Sequence, residues 1–352
     1  MAEMDPNAGE ILFSLIVPVY NRPDEVSDLL ASLDAQTDRG FEVVIVEDGS
    51  TVPCLEYEKT PEGALKAKGH EALRLQYFQK SNEGRSIARN YGLEHAGGDY
   101  FVFVDSDCIL PPDYFEKLRR SLKENYVDCF GGPDAAHESF SKTQKAINYA
   151  MTSFLTTGGI RGGKVSMEKF TPRTFNMGYS RAVYDKVGGF REMFSEDIDM
   201  STRVRNAGFS ITLFPDVYVY HKRRVDMKKF WKQVHVFGMS RITLELLYPG
   251  SMKLVHWLPA VFTVGAVGLV IGSFFCKWLL IPLLVYILAL WIGGMIATRS
   301  LDIASRGVMA AMVQLTGYGS GFIKAYVAKI LLGKGRDEAA EREIRKGKNE
   351  GL

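Results

Sequence analysis

Two hydrophobic rhythms divide the chain. Over roughly the first 215 residues, short apolar runs that end in acids or glycines alternate with stretches whose apolar positions recur at helical spacing. "ILFSLIVPVY" is an apolar run fit for a strand covered on both faces, ending at Pro18. From Pro23 to Asp34 the apolar residues Val26, Leu29, Leu30 and Leu33 fall on one helical face, with Asp24 and Glu25 in the first turn. "FEVVIVEDGS" and "LRLQYFQ" predict further strands, "GRSIARNYGLEHA" a helix stopped by Gly97 and Gly98, and "DYFVFVDSDC" another strand. The charged stretch from Glu56 to Glu71 predicts a solvated helix or loop. Strands alternating with helices indicate an α/β domain, and runs that each end in a polar or acidic cluster bring those clusters to one edge of a largely parallel sheet.

The second rhythm is continuous. "VHWLPAVFTVGAVGLVIGSFF" (255–275) contains 21 residues without a formal charge, roughly 31 Å as a helix, enough to cross a bilayer's hydrocarbon core. After Cys276 and Lys277, "WLLIPLLVYILALWIGGMIA" supplies 20 more. So short a connection makes the two spans an antiparallel hairpin. Trp257, Trp278 and Trp291 lie near the span ends, where aromatic rings favour the headgroup zone. Residues 307–331 are also apolar but carry Gln314, Thr316, Gly317, Gly319, Gly321, Lys324 and Lys329, which suits a helix lying in the interface better than a third crossing.

Charge sets the expected orientation. Residues 221–253 hold eight Lys/Arg against Asp226 and Glu245; from Lys324 onward there are eight more against five acids. Both flanks of the hairpin are therefore expected in the cytoplasm. The overall formal charge of +2 gives no reason to expect a nucleic-acid partner. Cys54, Cys108, Cys129 and Cys276 have no metal-ribbon or disulfide spacing, in keeping with a reducing compartment, and MAEMDPNAGE lacks the features of a secretory signal.

The candidate chemistry sits where strands run out. Asp105-Ser106-Asp107 follows a buried apolar run, and in extended chain residues i and i+2 share a face, so both carboxylates point into one crevice. Two such charges repel unless a cation or proton intervenes, and a divalent ion such as Mg²⁺ or Mn²⁺ resolves the conflict. A solvated turn with two acids is the plainer alternative. Glu196 and Asp197 open the helical stretch "SEDIDMSTRVRNAGF", where the dipole favours ionised carboxylates; ordinary first-turn capping acids fit as well. Asp199 reads as a surface acid. "GGIRGGKV" (158–165) approaches a phosphate-binding loop but ends in Val165 in place of the required hydroxyl and follows a helical stretch, so it is expected to be a mobile loop on the acceptor side. No GxGxxG follows the first strand, which counts against a dinucleotide-binding enzyme.

Taken in order, "VPVYNRPDEV", "VVIVEDGS", "NEGRSIARNYGLEHAGGDYFVFVDSD" and "NMGYSRAVYDKVGGFREMFSEDIDMSTRVRNAGF" resemble the family 2 inverting glycosyltransferases of the GT-A fold over about residues 11–221. The resemblance implies an α/β domain with a Rossmann-like mixed sheet flanked by helices, its nucleotide-sugar half over about 11–110 and its acceptor half over about 128–221. Beyond it are expected a basic interfacial segment at 222–253, two transmembrane helices at 254–298, and an interfacial amphipathic helix and cytoplasmic tail at 299–352. It further implies that Pro18, Val19, Tyr20 and Asp48, with Glu25 nearby, line the donor's base and ribose pocket, and that Gly84, Arg85 and Arg89 form the wall under the nucleotide. Asp105 would contact ribose or metal with Ser106 beside it, Asp107 would bind the metal, and His221 would complete the metal or pyrophosphate site. The alternative for His221 is an interfacial histidine beside Lys222-Arg223-Arg224. Of the acidic pair Glu196-Asp197, the second member would be the base.

The implied protein is a multi-pass enzyme of the cytoplasmic (inner) membrane with its catalytic domain in the cytoplasm. It would transfer a sugar from a nucleoside diphosphate sugar, a UDP-sugar as first choice, to a hydroxyl of a lipid-linked saccharide in cell-surface polysaccharide assembly. Processive synthases of the superfamily carry a Q-x-x-R-W segment; here "FWKQVHVFGMSRI" has Gln233 but no Arg-Trp pair, which favours transfer of one or few sugars. Alternatives are a polyprenyl-phosphate glycosyltransferase, whose acceptor needs no base, and a non-catalytic nucleotide-sugar-binding subunit of a membrane complex.

Overall fold

The structure is a computed structural model that describes residues 11–60, 65–135, 140–158, 170–221 and 226–334. The basic run Lys222–Arg224, the glycine-rich loop beyond Gly158 and the C-terminal tail from 335 lie outside the described residues. By its contacts the chain forms two compact units, Met1–Glu138 with Lys169–Lys222, and Ser139–Glu168 with Arg223–Leu352.

In the first unit the described elements run β1 (Phe13–Val19), α1 (Pro23–Asp34), β2 (Phe41–Asp48), β3 (Tyr57–Lys59), β4 (Leu65–Ala67), β5 (Leu75–Lys80), α2 (Arg85–His95), β6 (Tyr100–Phe103), β7 (Cys108–Ile109), α3 (Tyr114–Glu124), β8 (Cys129–Gly131) and β9 (Asp134–Ala135). The second unit contributes α4 (Lys142–Thr152) and α5 (Phe154–Thr157). The first unit then resumes with β10 (Met177–Ser180), α6 (Arg181–Val187), α7 (Glu196–Asn206), β11 (Ile211–Leu213) and β12 (Val219–His221).

Nine strands form a mixed sheet in the order β11-β8-β10-β6-β1-β2-β5-β4-β3, and β7-β12-β9 form a small second sheet. The centre is parallel: β1 pairs with β2 and β6, and β2 with β5. Because these strands are covered on both faces, they read as continuous apolar runs, not as alternating ones. Phe13, Leu15, Val17 and Val19 point to the face covered by α1 and α3, whereas Ile16 points to the face covered by α2, α6 and α7. Strand β1 continues through Pro18 to Val19, one residue past the expected end. Pro18 is tolerated where β1 pairs only with β2, its register with β6 having ended at Ile16↔Phe103.

Helix α1 has the expected bounds, with Pro23 in its first turn and Val26, Leu29, Leu30 and Leu33 buried. The Glu56–Glu71 stretch does not form the expected helix or loop throughout: β3 and β4 pair antiparallel in the register Tyr57↔Ala67 and extend the sheet at its edge. Tyr57 and Leu65, spaced among charged residues, pack against the core and hold that edge in place. Asp199 is not a surface acid either. It is fully buried, accepting from Arg203 Nε at 2.9 Å and Arg191 Nη1 at 3.3 Å, because α7 turns that side of its first turns inward along with Met200.

The second unit continues with α8 (Met227–Leu247), α9 (Leu254–Gly272), a 3₁₀ turn (Lys277–Leu280), α10 (Ile281–Thr298) and α11 (Leu301–Ala325), closed by a π-helical turn (Tyr326–Leu331). Leu254–Gly272 and Lys277–Thr298 are long and apolar enough to cross a membrane, as two helices joined by a short turn. Their outward residues, among them Val261, Val264, Leu284, Val285 and Leu288, are apolar and exposed, the surface a hydrocarbon solvent requires. Helix α11 packs along α8, where Gly321 brings its backbone against the carbonyl of His235, and against α9, where Gly319 meets the carbonyl of Pro259. The three glycines at 317, 319 and 321 are thus contact points between helices. Helix α4 also belongs here: Ile147, Ala150 and Met151 join Phe230, Val234, Leu290, Ala310 and Ala311 in one apolar cluster. The acceptor half expected over 128–221 is therefore interrupted by a segment that packs with the membrane-type helices.

Candidate active site

The carboxyl ends of β1, β2 and β6, the start of α2 and the N-terminus of α7 supply the candidate side chains. Strand β6 ends at Phe103, and the chain turns through Asp105-Ser106-Asp107 into β7, where Cys108↔His221 pairing brings β12 alongside. His221 Nε2 lies 3.2 Å from Asp107 Oδ1 and 4.0 Å from Asp105 Oδ2. Its other ring nitrogen faces Asp134 Oδ2 at 3.8 Å, and its ring stacks on Phe175 with centroids 5.0 Å apart. A carboxylate behind the far nitrogen is the arrangement that orients metal-binding histidines.

This donor set fits a hard divalent cation. Neighbouring ligands of an octahedral ion at about 2.1 Å lie about 3.0 Å apart, close to the Asp107–His221 separation. Cys108 Sγ also lies within 4.8 Å of these donors. Burial, and next the charge of Asp107, push its thiol well up, so it stays protonated, and it points to the carbonyl of Phe175 at 3.5 Å. Sulfur is a soft donor ill matched to Mg²⁺ or Mn²⁺, which leaves Asp107, Asp105 and His221 as the candidates.

Arg89 joins this cluster to the acidic pair. Its guanidinium donates from Nη2 to Asp105 Oδ1 and from Nη1 to Glu196 Oε1, each at 2.9 Å, and Arg85 Nη2 donates to Glu196 Oε2 at 2.8 Å. Both Glu196 oxygens are thereby engaged by arginines, and the residue is buried. A carboxylate so neutralised is a mount for Arg85 and Arg89, not a free proton acceptor. Asp197 differs: Oδ1 accepts from the N–H of Ile198 at 2.8 Å, and among the described residues Oδ2 meets the longer contact from Arg173 Nη1 at 3.3 Å. Ser195, just before the pair, has φ = +69°, a left-handed backbone unusual for serine, and it aims the first turn of α7.

On the donor side, Asp48 accepts from the N–H groups of Glu83 and Gly84 at 3.0 and 2.8 Å and from Lys80 Nζ at 3.0 Å, tying the end of β2 to the start of α2. Gly84 caps α2 with φ = +101°, which favours glycine. Asn21 holds two loops together: its N–H donates to Ser50 Oγ at 2.9 Å and its Oδ1 accepts from the N–H of Thr51 at 2.9 Å. Buried Glu47 anchors the same loop, accepting from the N–H of Cys54 at 2.9 Å and from the Tyr77 hydroxyl. Tyr20 stands exposed beside this clamp; Pro18 and Ser106 are half-buried; Glu25 pairs with Arg22 at 2.6 Å. Val19 points into the core among Val17, Val26 and Leu30, so only its backbone is available to a ligand.

Sequence reasoning missed Asp134, Arg173, Phe175 and Asn176. Asp134 had a legible signal, since "FGGPD" is again an apolar strand run ending in an acid. Arg173 and Phe175 had none, because their partners, Asp197 and His221, lie 24 and 46 residues away. Asn176 donates to the carbonyls of Val217 and Pro133 at 2.8 and 3.3 Å and accepts from the Tyr114 hydroxyl at 2.7 Å, fixing the turns that precede β9 and β12.

The Glycosyl transferase family 2 model matches residues 14–188. Among curated relatives, an uncharacterized glycosyltransferase of Rickettsia conorii is 38% identical over 112 residues, which is 32% of this chain and only 17% of the relative. Glycosyltransferase AglE of Haloferax volcanii is 25% identical over 259 residues, 70% of this chain and 81% of its own. Among solved structures, the mannosyltransferase PcManGT from Pyrobaculum calidifontis, in complex with GDP-Man and Mn²⁺, superposes with a TM-score of 0.52 at 14% identity, covering 92% of this chain and 89% of that one. With its family match centred on the strands and arginines just described, the chain carries a family 2 glycosyltransferase domain of GT-A fold.

Proposed function

We propose that this chain is a membrane-anchored, metal-dependent, inverting glycosyltransferase that moves one sugar from a nucleoside diphosphate sugar to a hydroxyl of a lipid-linked saccharide. The observation that carries the reading is the bridge through Arg89, which couples the Asp105–Asp107–His221 cluster to the α7 terminus bearing Asp197. Pro18, the Val19 backbone, Tyr20 and the Asp48 loop take the base and ribose, with a UDP-sugar as first choice. Arg85, Arg89 and Gly84 line the nucleotide wall. Asp107 and His221 would hold the cation, and Asp105 would contact the ribose or the metal. When bound there, a divalent ion neutralises the departing diphosphate.

Asp197 takes the proton of the acceptor hydroxyl as that oxygen attacks the anomeric carbon; the bond from that carbon to the diphosphate oxygen breaks, and the anomeric centre inverts. Arg173 holds Asp197 in place through the contact of its Nη1 at 3.3 Å. The hairpin of α9 and α10 anchors the protein in the cytoplasmic membrane, its basic flanks on the cytoplasmic side with the catalytic unit.

The test is turnover in reconstituted vesicles carrying native lipid-linked saccharides, with a panel of labelled nucleotide sugars in Mn²⁺, Mg²⁺ or chelator. The expected result is label in the lipid fraction from one donor, only with metal. Donor binding without transfer to any lipid acceptor would overturn the enzymatic reading, and label on a bare polyprenyl phosphate would overturn the saccharide acceptor.

A further inference from the structure

We infer that the end of α4 and all of α5 form a wedge whose Phe154 and Leu155 side chains contact the acyl chains of bilayer lipids beside α10. No charged residue occurs between Lys145 and Arg161. Two hydrogen bonds fix the segment against α10: the Tyr149 hydroxyl donates to the carbonyl of Leu290 at 2.7 Å, and the Tyr286 hydroxyl donates to the carbonyl of Leu155 at 2.8 Å. The path from Lys142 to Leu155 therefore runs along α10 away from its C-terminal end.

A polar belt marks where that path begins. Lys142 Nζ pairs with Asp302 Oδ2 at 2.8 Å, Arg306 Nε with Asp302 Oδ1 at 2.7 Å, and Trp291 Nε1 donates to Ser305 Oγ at 3.2 Å. From Trp291 to Tyr286 is five residues of helix, about 7.5 Å toward the middle of the span. Amphipathic segments that lie on a bilayer bury their apolar side to about this depth.

The threonine hydroxyls of the wedge are satisfied within it. Thr152 Oγ1 donates to the carbonyl of Asn148 at 2.9 Å, and Thr157 Oγ1 to that of Ser153 at 3.0 Å. Thr156 Oγ1 reaches the carbonyls of Ser153 and Ala150. The N–H of Gly158 closes the last turn on the carbonyl of Phe154 at 2.9 Å. Hydrocarbon demands such internal closure, whereas water does not. Meanwhile Phe154 and Leu155 are 55% and 43% exposed, and Leu284, Val285 and Leu288 of the neighbouring α10 are exposed as well. An apolar tip with closed polar groups, extending the surface of a candidate span, matches lipid tails as its partner.

The inference rests on α10 crossing the bilayer, and the test separates the two. In full-length protein carrying Cys276→Ser, whose remaining cysteines are buried, Phe154→Cys, Leu155→Cys and Leu288→Cys are each labelled with a polarity-sensitive fluorophore in phosphatidylcholine vesicles. Quenching by spin-labelled acyl chains and by aqueous iodide is then compared. All three labels are expected to emit at short wavelength, to be quenched by the spin-labelled lipid and to be shielded from iodide. Lipid quenching of Leu288→Cys with iodide quenching at both 154 and 155 would overturn the wedge alone. Iodide quenching at 288 as well would overturn the span and the wedge together.

Discussion

Arg89 and Glu196 form an ion pair at 2.9 Å in which both partners are almost wholly withdrawn from solvent. They lie 107 residues apart, on α2 and α7. Breaking a buried pair from one side costs up to about 3–5 kcal/mol when the other charge is stranded, and Arg85, still on Glu196, offsets part of that. Arg89→Ala is therefore expected to lower the stability of the first unit by that order in chemical unfolding. Glu196→Gln, which keeps one acceptor and the side-chain shape, should cost less. A surface-like change near zero for Arg89→Ala would refute the burial of the pair.

Asp197→Asn should abolish transfer while leaving nucleotide affinity intact, measured by calorimetry with the donor's nucleoside diphosphate. Arg173→Ala should reduce kcat by one to two orders of magnitude with KM for the donor little changed. Arg173→Lys, which keeps a positive charge beside Asp197, should recover part of that loss, and no recovery would assign Arg173 a purely structural place.

The cation site makes a prediction that separates its neighbours. Asp107→Asn and His221→Ala should each weaken Mn²⁺ binding at least tenfold by electron paramagnetic resonance titration, whereas Cys108→Ala should leave it unchanged, because the thiol is buried and protonated. A large loss in Cys108→Ala would place sulfur in the site.

Acid stability has a named contributor in Asp38. Burial alone would raise its carboxyl, but hydrogen bonds from Arg119 and from the N–H of Gly40 outweigh that and hold it below the usual range. Since the folded value lies below the unfolded one, near 3.9, the stabilisation is complete above that pH and is lost as pH falls through the folded value. Asp38→Asn should thus lower the unfolding midpoint at pH 7 and flatten its dependence below about pH 4. Equal slopes in both proteins would remove Asp38 from the acid response.

Helix packing in the second unit is set by absent side chains. A Cβ on Gly238 would sit 2.1 Å from the carbonyl oxygen of Tyr318, and one on Gly321 2.0 Å from that of His235. Backbone cannot yield as a side-chain tip can, so Gly238→Ala or Gly321→Ala must separate α8 from α11. Each should lower the melting temperature in detergent by several degrees, whereas Gly265→Ala, which meets nothing within 4 Å, should not.

How much of this was legible depended on the range of the interactions involved. Pattern alone marks α1 to the residue, because Pro23, the first-turn acids and four leucines and valines all act within one helix. It marks the strand carrying Asp48, the strand that leads into Asp105 and Asp107 but ends at Phe103, and both candidate spans, for the same reason. It fails at Glu56–Glu71, where charge suggested solvent but cross-strand pairing decided the outcome. It fails at Asp199, whose burial depends on which side of α7 meets the sheet. The Arg89 bridge could be placed near the nucleotide by resemblance, but its two carboxylate partners emerge only once α2, α7 and the end of β6 are assembled.

Asn176 ties together segments 41, 43 and 62 residues away, and His221 must travel back to Asp107 across 114 positions. Contacts of such sequence separation form late, after nearer ones have closed. During synthesis, the ribosome therefore releases the Asp105–Asp107 pair long before its histidine exists. Asp105 meets Arg89 early, but the growing chain lacks the histidine beside Asp107 until β12 has left the exit tunnel and docked. If the candidate cluster holds a cation, its affinity is a timer for completion: a truncated or stalled product ending before residue 221 should be distinguishable from the finished domain by weaker Mn²⁺ binding.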